Sequence, residues 1–138
     1  MLYEIHTGKK HSKVIDDAMT FVVDHLDLPD NVWVDLFVVA NKDGSCGGAV
    51  HVEEDEYGYH HFHVDINSKL SRDEMIVTLF HEMKHVEQTA NGRLDQTIWE
   101  GKDYSNVAYL DRPWEKEAYE FESRTILLYR NKLRQEVL

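Results

Sequence analysis

Cysteine, proline and long apolar runs are all scarce in this chain of 138 residues. Its one cysteine, Cys46, allows no internal disulfide, and we interpret it as a small structural residue, since no partner base is evident. No apolar run approaches the roughly 20 residues of a membrane-spanning helix, and the first residues lack the apolar core of a secretory signal. We therefore expect a cytoplasmic protein.

Basic residues are also few, with 15 Lys and Arg against 26 Asp and Glu, which gives a net charge of −11. Such a surface repels phosphate backbones and anionic lipids, so binding to nucleic acid or to a membrane is disfavoured. The hydrophobic fraction of 42% is enough for a core. The length fits a single domain over residues 1–138.

The first half of the chain predicts a helix followed by three strands. Apolar residues recur with helical spacing over 9–27, and Pro29 then stops the helix. Residues 32–40 are β-branched and aromatic, a turn follows at 41–44, and 47–52 forms the partner strand. Residues 59–66 alternate, with Phe62 and Val64 on the buried side. Together these strands predict a three-stranded, mainly antiparallel sheet.

The second half predicts two helices joined by a long loop. Ser71 and Glu74 form a capping box, so a helix begins near Arg72 and ends at Asn91–Gly92. Residues 93–112 lack periodicity and predict a loop. Pro113 suits the first turn of a long final helix. The fold class is therefore α+β.

The predicted helix after Ser71 contains the sequence "HEMKH", an HExxH pattern. His81 and His85 lie one helical turn apart, so both imidazoles can reach one Zn²⁺ at about 2.1 Å. Glu82 projects into the same cleft and can accept a proton from a metal-bound water. These residues form a polar stripe beside the apolar face, which predicts a zinc site over the alternative of solvated surface histidines.

A catalytic zinc needs a third protein ligand and an open position. In the final helix, Trp114, Ala118 and Phe121 mark the core stripe, and Glu117 lies at its border, about 40° from Phe121. We therefore predict Glu117 as the third ligand. Glu115, about 120° away, and a histidine from the strands are the alternatives.

The sequence "HEMKH" followed by "WEKEAYEF" resembles the gluzincin branch of the zincin metallopeptidases, similar to minigluzincins and the ImmA/IrrE-type peptidase domain. This resemblance implies a small zincin-like domain that hydrolyses a peptide or protein substrate, with zinc on His81, His85 and a glutamate that precedes an alanine, as Glu117 does. It also implies that the strand before the HExxH helix pairs with the substrate, and that a tyrosine after this helix stabilises the oxyanion. Tyr104 and Tyr109 both lie in that region.

Several other readings stay open. Asp95 and Glu120 are possible partners that orient a ligand histidine. His61, His63 and Asp65 share a strand face, but alternation explains them without a second metal. The alternatives to a peptidase are a protein that uses zinc only for stability, and a regulatory or phage accessory protein that binds a partner.

Overall fold

The computed structural model describes residues 1–40, 47–53 and 57–137. In this part of the chain, three helices pack on one face of a four-stranded sheet, and a small sheet of three strands precedes the last helix. The α+β class predicted from the sequence is confirmed. None of the described helices has the length and apolar character needed to cross a membrane.

The main sheet contains β1 (Leu2–His6), β2 (Val32–Val39), β3 (Gly48–Val52) and β4 (His60–Asn67), in the order β1-β2-β4-β3. β1 and β4 both pair with β2 in parallel, and β3 alone is antiparallel to its neighbour β4. The predicted three-stranded, mainly antiparallel sheet is therefore wrong in strand number and in direction, because β1 was missed and β4 separates β2 from β3.

Alternation predicts which face of a strand is buried, and here that part of the prediction is confirmed. Val34 and Leu36 of β2 and Phe62 and Val64 of β4 are all buried. The pattern is the same for parallel and antiparallel partners, however, so it cannot choose between them. The hairpin was inferred from nearness in sequence, and its predicted turn at 41–44 lies outside the described residues.

The first two helices follow the sequence pattern closely. α1 (Lys9–Val23) connects the parallel strands β1 and β2, and it ends earlier than the predicted range of 9–27. α2 (Arg72–Ala90) begins at a capping box in which Ser71 Oγ accepts from the Glu74 backbone N–H and the Glu74 carboxylate accepts from the Ser71 N–H. Gly92, with φ of 75°, follows its end.

The predicted loop at 93–112 contains regular structure. It forms the antiparallel strands β5 (Leu94–Asp95), β6 (Ile98–Trp99) and β7 (Lys102–Asp103), followed by a 3-10 turn at Tyr109–Asp111. The final helix is α3 (Pro113–Val137). Trp99 of β6 packs beside Trp114 of α3, with ring centroids 6.4 Å apart, so the small sheet buttresses the first turn of α3.

Candidate metal centre

Helix α2 presents two histidines, one turn apart, toward α3. The rings of His81 and His85 meet edge to face with centroids 4.8 Å apart, and their Nε2 atoms are 3.1 Å apart. His81 is buried and His85 is nearly so. The polar stripe expected from the sequence therefore lies beside the core and is shielded from solvent.

Glu115, in the first turn of α3, completes a cluster with these histidines. Its Oε1 lies 2.9 Å from His81 Nε2 and 3.1 Å from His85 Nε2, and its side chain is buried. The three atoms thus form a compact triangle. Within the described ranges, His81, His85 and Glu115 form one of two groups of side chains that could hold a metal ion.

Glu117, the predicted third ligand, is engaged elsewhere. Its carboxylate accepts hydrogen bonds from Arg93, with Nη1 2.8 Å from Oε1 and Nη2 2.7 Å from Oε2. It also accepts a hydrogen bond from Gln88 Nε2 at 3.2 Å. These bonds hold Glu117 beside the guanidinium group. In the structure, the glutamate that reaches the histidines is therefore Glu115 and not the predicted Glu117.

The prediction of Glu117 assumed that a single buried stripe continues along the whole of α3. Ala118 and Phe121 are buried as predicted. At its first turn, however, α3 packs against α2 on one side, while Trp114 faces the small sheet on another. This double packing also encloses Glu115. The burial of a first turn depends on which elements it meets, so helical period alone does not determine it.

Two further side chains orient the imidazoles, and the sequence reasoning missed both. His81 Nδ1 donates to Glu122 Oε1 at 3.2 Å, and His85 Nδ1 donates to Gln88 Oε1 at 2.8 Å. The Gln88 amide has this orientation because its Nε2 donates to the carbonyl oxygen of Trp114 at 3.1 Å. The hydrogens on both histidines are thereby assigned to Nδ1.

The sequence held a signal for one of these residues. Glu122 follows Glu115 by seven residues, which is about two turns, so both side chains share one face of α3. A search for a second carboxylate on the face of the ligand would have found it. Asp95 and Glu120, which we considered for this role, are both exposed and make no hydrogen bond to either histidine.

The converging atoms fit a bound cation. Without a metal, a proton on His81 Nε2 can donate to Glu115 Oε1. Once both histidines are neutral with their hydrogens on Nδ1, the two Nε2 lone pairs and Glu115 Oε1 are three converging ligand atoms. Tetrahedral zinc, at about 2.1 Å from each ligand, would separate the ligand atoms by roughly 3.4 Å. The observed separations of 2.9 to 3.1 Å are close to this value, so the residues fit zinc.

The surrounding carboxylates also favour positive charge. Burial opposes protonation of His81, but its hydrogen bonds to Glu115 and Glu122 outweigh burial and raise its pKa to about 9. Burial likewise disfavours ionised Glu115, yet its hydrogen bonds to both histidines lower its pKa to about 2. Glu82 behaves differently, because burial raises its pKa despite the nearby imidazoles. The ionised carboxylate of Glu115 therefore lies beside that of Glu82, which binds a proton more readily.

A groove passes this cluster along strand β3. It consists of two cavities of about 520 and 570 Å³, which share Gly48, Glu82 and Tyr109 in their walls. β3 is the last strand of its sheet, so it has a free edge within the described structure. Residues 59–66, which we expected to pair with a substrate, form β4, and β4 already has β2 and β3 as neighbours. The free edge near the site belongs to β3 instead.

Gly48 allows β3 to approach the HExxH helix closely. A Cβ atom at this position would lie 2.7 Å from Thr78 Cγ2 and 3.0 Å from both Glu82 Cγ and the Asp65 carbonyl oxygen. Real Cβ atoms do not tolerate the shortest of these contacts. The absence of a side chain at Gly48 therefore sets the spacing between the strand edge and Glu82.

The two predicted tyrosines occupy different places. Tyr109 borders both cavities, and Glu115 also borders the first of them. Burial, together with the charge of Glu115, raises the pKa of Tyr109 above its usual range. Tyr104 packs edge-on against Trp114 at 6.1 Å between ring centroids. It is not among the described residues that line the groove, so the structure brings Tyr109 alone to the cluster.

Searches of protein-family models, curated proteins and solved structures found no match to this chain.

Proposed function

We propose that this protein is a zinc-dependent peptidase in which His81, His85 and Glu115 bind the metal. The observation that carries the proposal is the convergence of two Nε2 atoms and one carboxylate oxygen within 3.1 Å of one another, beside Glu82 in an open groove. Three protein ligands and an accessible cavity are what a catalytic zinc requires, whereas a structural zinc site is closed by a fourth protein ligand.

Zinc bound here would supply Lewis acidity, which lowers the pKa of water and polarises a substrate carbonyl. Glu82 is the proton acceptor in this proposal. Burial raises its pKa, so it takes a proton from the attacking water more readily than a solvated carboxylate does. It then delivers that proton to the leaving amine. Glu82 lines both cavities, so it would lie beside a peptide bound along the groove.

Tyr109 is the donor for the developing oxyanion. Its hydroxyl is protonated at neutral pH, as a hydrogen-bond donor must be, and burial raises its pKa further. Tyr109 lines the groove beside Glu82 and Glu115, where its hydroxyl can donate to a substrate oxygen. Tyr104, packed against Trp114, is not assigned this role.

The free edge of β3 supports an extended peptide as substrate. A peptide that adds a strand to this edge gains main-chain hydrogen bonds without regard to its sequence. The groove carries acidic side chains and, among its described lining residues, no lysine or arginine; the acidic members are Glu82, Asp95, Glu115 and Glu122. A peptide with basic residues near the cleaved bond is therefore favoured.

The competing readings are a zinc site used only for stability and a scaffold that binds a partner without cleavage. Neither requires a carboxylate of raised pKa beside the ligands.

The test has two parts. Purified protein is first analysed for zinc, and we expect about one strongly held ion per chain that His85→Gln removes.

The second part measures cleavage of a peptide library enriched in lysine and arginine. Glu82→Gln should retain zinc and lose activity by about 10²- to 10⁴-fold, as for other general bases. Glu120→Gln, an exposed glutamate of α3, is the matched control and should cleave like the wild type. A Glu82→Gln variant as active as the wild type would overturn the peptidase proposal, while retained zinc without any cleavage would favour a non-catalytic role.

A further inference from the structure

The four strands of the main sheet contain no lysine or arginine. The face of the sheet away from the helices nevertheless carries carboxylates, and histidines are the sole potentially cationic side chains of these strands. The residues concerned are Glu4, Asp35 and Asp65, with His6, His51, His61 and His63. Within these strands, histidines are therefore the only side chains that can balance the negative charge of this face.

Two of the carboxylates are direct neighbours. Glu4 of β1 and Asp35 of β2 are paired across the parallel strands. Like charges placed opposite each other in a sheet are destabilising. Within the described structure, Glu4 has no hydrogen bond or ion pair that would relieve this repulsion. A cation between the two carboxylates would convert the repulsion into a binding site.

Asp35 is already oriented for such a site. Its Oδ2 accepts from Trp33 Nε1 at 3.1 Å and lies 2.7 Å from His61 Nε2. Its Oδ1 lies 3.0 Å from His6 Nε2. One carboxylate oxygen is thus anchored by two side chains, while the other is directed toward β1.

His6 is held just as firmly. Its ring stacks on Phe37 with centroids 4.3 Å apart and an interplanar angle of 11°. Phe37 stacks in turn on His63, at 4.4 Å and 13°. This stack restricts the His6 ring while its Nε2 faces Asp35. Preorganised side chains lose less conformational entropy when they bind a ligand.

We propose that Glu4, His6 and Asp35 bind a second divalent transition-metal ion, on the side of the sheet opposite the HExxH helix. One potential ligand atom from each of these side chains lies within 4.8 Å of the others. An ion at about 2.1 Å from each ligand spans up to roughly 4.2 Å between opposite ligands, so a small movement of the exposed Glu4 side chain completes the set. One imidazole with two carboxylates suits Zn²⁺ or Mn²⁺.

An ion bound here would cross-link β1 and β2, since Glu4 and His6 belong to one strand and Asp35 to the other. The remaining coordination positions are available to water. A cavity of about 380 Å³ adjoins Asp35 on the side of Trp33 and His61. No residue of this cluster belongs to the centre at His81, so the two sites are independent in sequence.

The test is a titration of chelator-stripped full-length protein with Zn²⁺, followed by calorimetry and by metal analysis of the dialysed protein. We expect two equivalents for the wild type. The double variant His81→Gln/His85→Gln should keep one equivalent, and His6→Gln or Glu4→Gln should keep the other, with the affinity of the missing site lowered at least tenfold. His51→Gln, on the same face but outside the cluster, should keep both.

Mn²⁺ provides a second readout. Its paramagnetism should broaden the backbone amide signals of β1 and β2 in the double variant His81→Gln/His85→Gln, and this broadening should disappear when His6→Gln is added. The proposal is overturned if the double variant His81→Gln/His85→Gln binds no ion, or if its remaining equivalent survives both His6→Gln and Glu4→Gln. Different substitutions remove the two equivalents. Failure of the site at Glu4, His6 and Asp35 would therefore not contradict the zinc centre at His81, and the reverse also holds.

Discussion

Imidazoles meet a carboxylate both between α2 and α3, at Glu115, and on the open face of the sheet, at Asp35. In the first, both Nε2 atoms lie at the same oxygen of Glu115. In the second, Asp35 receives His6 on one oxygen and His61 on the other. The two imidazoles of the first cluster thus share one carboxylate oxygen, whereas those of the second cluster contact different oxygens of the same carboxylate. The residue types in the two clusters are nevertheless alike.

Burial separates the two clusters further. The side chains of His81 and Glu115 are 8% and 6% exposed, whereas those of His6 and Asp35 are 36% and 21% exposed. Charges in a buried site interact strongly because water does not screen them. Between the helices the pKa of His81 is raised to about 9 and that of Glu115 is lowered to about 2, whereas on the sheet the hydrogen bonds of Asp35 lower its pKa against the effect of burial. We expect tight metal binding at the first cluster and weaker binding at the second.

The largest effect should come from Glu115→Ala, which removes a ligand from the convergent cluster. Zinc affinity at this centre should fall by more than about 100-fold, since even residues behind the ligands contribute 10- to 100-fold. Glu117→Ala is the matched comparison, because Glu117 is held by Arg93. It should retain the metal, as measured by competition with a chromogenic chelator. Zinc retention by Glu115→Ala with loss in Glu117→Ala would restore the ligand predicted from sequence.

A smaller loss should follow Glu122→Gln, which weakens the hydrogen bond to His81 Nδ1. Zinc affinity should decrease about 10- to 100-fold without a change in stoichiometry. Glu120→Gln, on the exposed side of the same helix, should leave the affinity unchanged. Equal affinities in the two variants would show that Glu122 does not orient the ligand.

The stability of the metal-free protein should depend on alkaline pH through the buried cluster. The pKa of His81 is raised from its ordinary value of 6.5 to about 9. Its protonated form therefore contributes stability that is fully present below about pH 6.5 and is lost as the pH rises through 9. Thermal melts of chelated wild type should show this decrease, and His81→Gln should flatten it. An unchanged slope in the variant would assign the titration to another group.

The smallest effect is expected for His61→Gln on the open face. This residue anchors one oxygen of Asp35 but is not among the proposed ligands. Trp33 still donates to the same oxygen, so affinity for the second Zn²⁺ should fall less than about tenfold. Calorimetry in the His81→Gln/His85→Gln background isolates this site. Complete loss of the second equivalent would make His61 a direct ligand.

Much of the HExxH helix could be predicted because its determinants are local. The capping box at Ser71 and the end near Gly92 depend on neighbouring residues, and the structure confirms both. The placement of His81 and His85 one turn apart follows from helical geometry. Regular structure at 94–103 was missed, because two-residue strands leave no periodicity to detect.

The amino-acid sequence alone determined which faces of the strands and of α2 are buried and that two histidines and Glu82 share one stripe, because these properties repeat within a single element. The tertiary structure decided that Glu115 meets the histidines while Glu117 meets Arg93, that β4 lies parallel to β2, and that Glu4 lies beside Asp35. Each of these depends on how distant elements pack. A ligand supplied by a second helix is fixed by where the two helices come together, which helical periodicity does not specify.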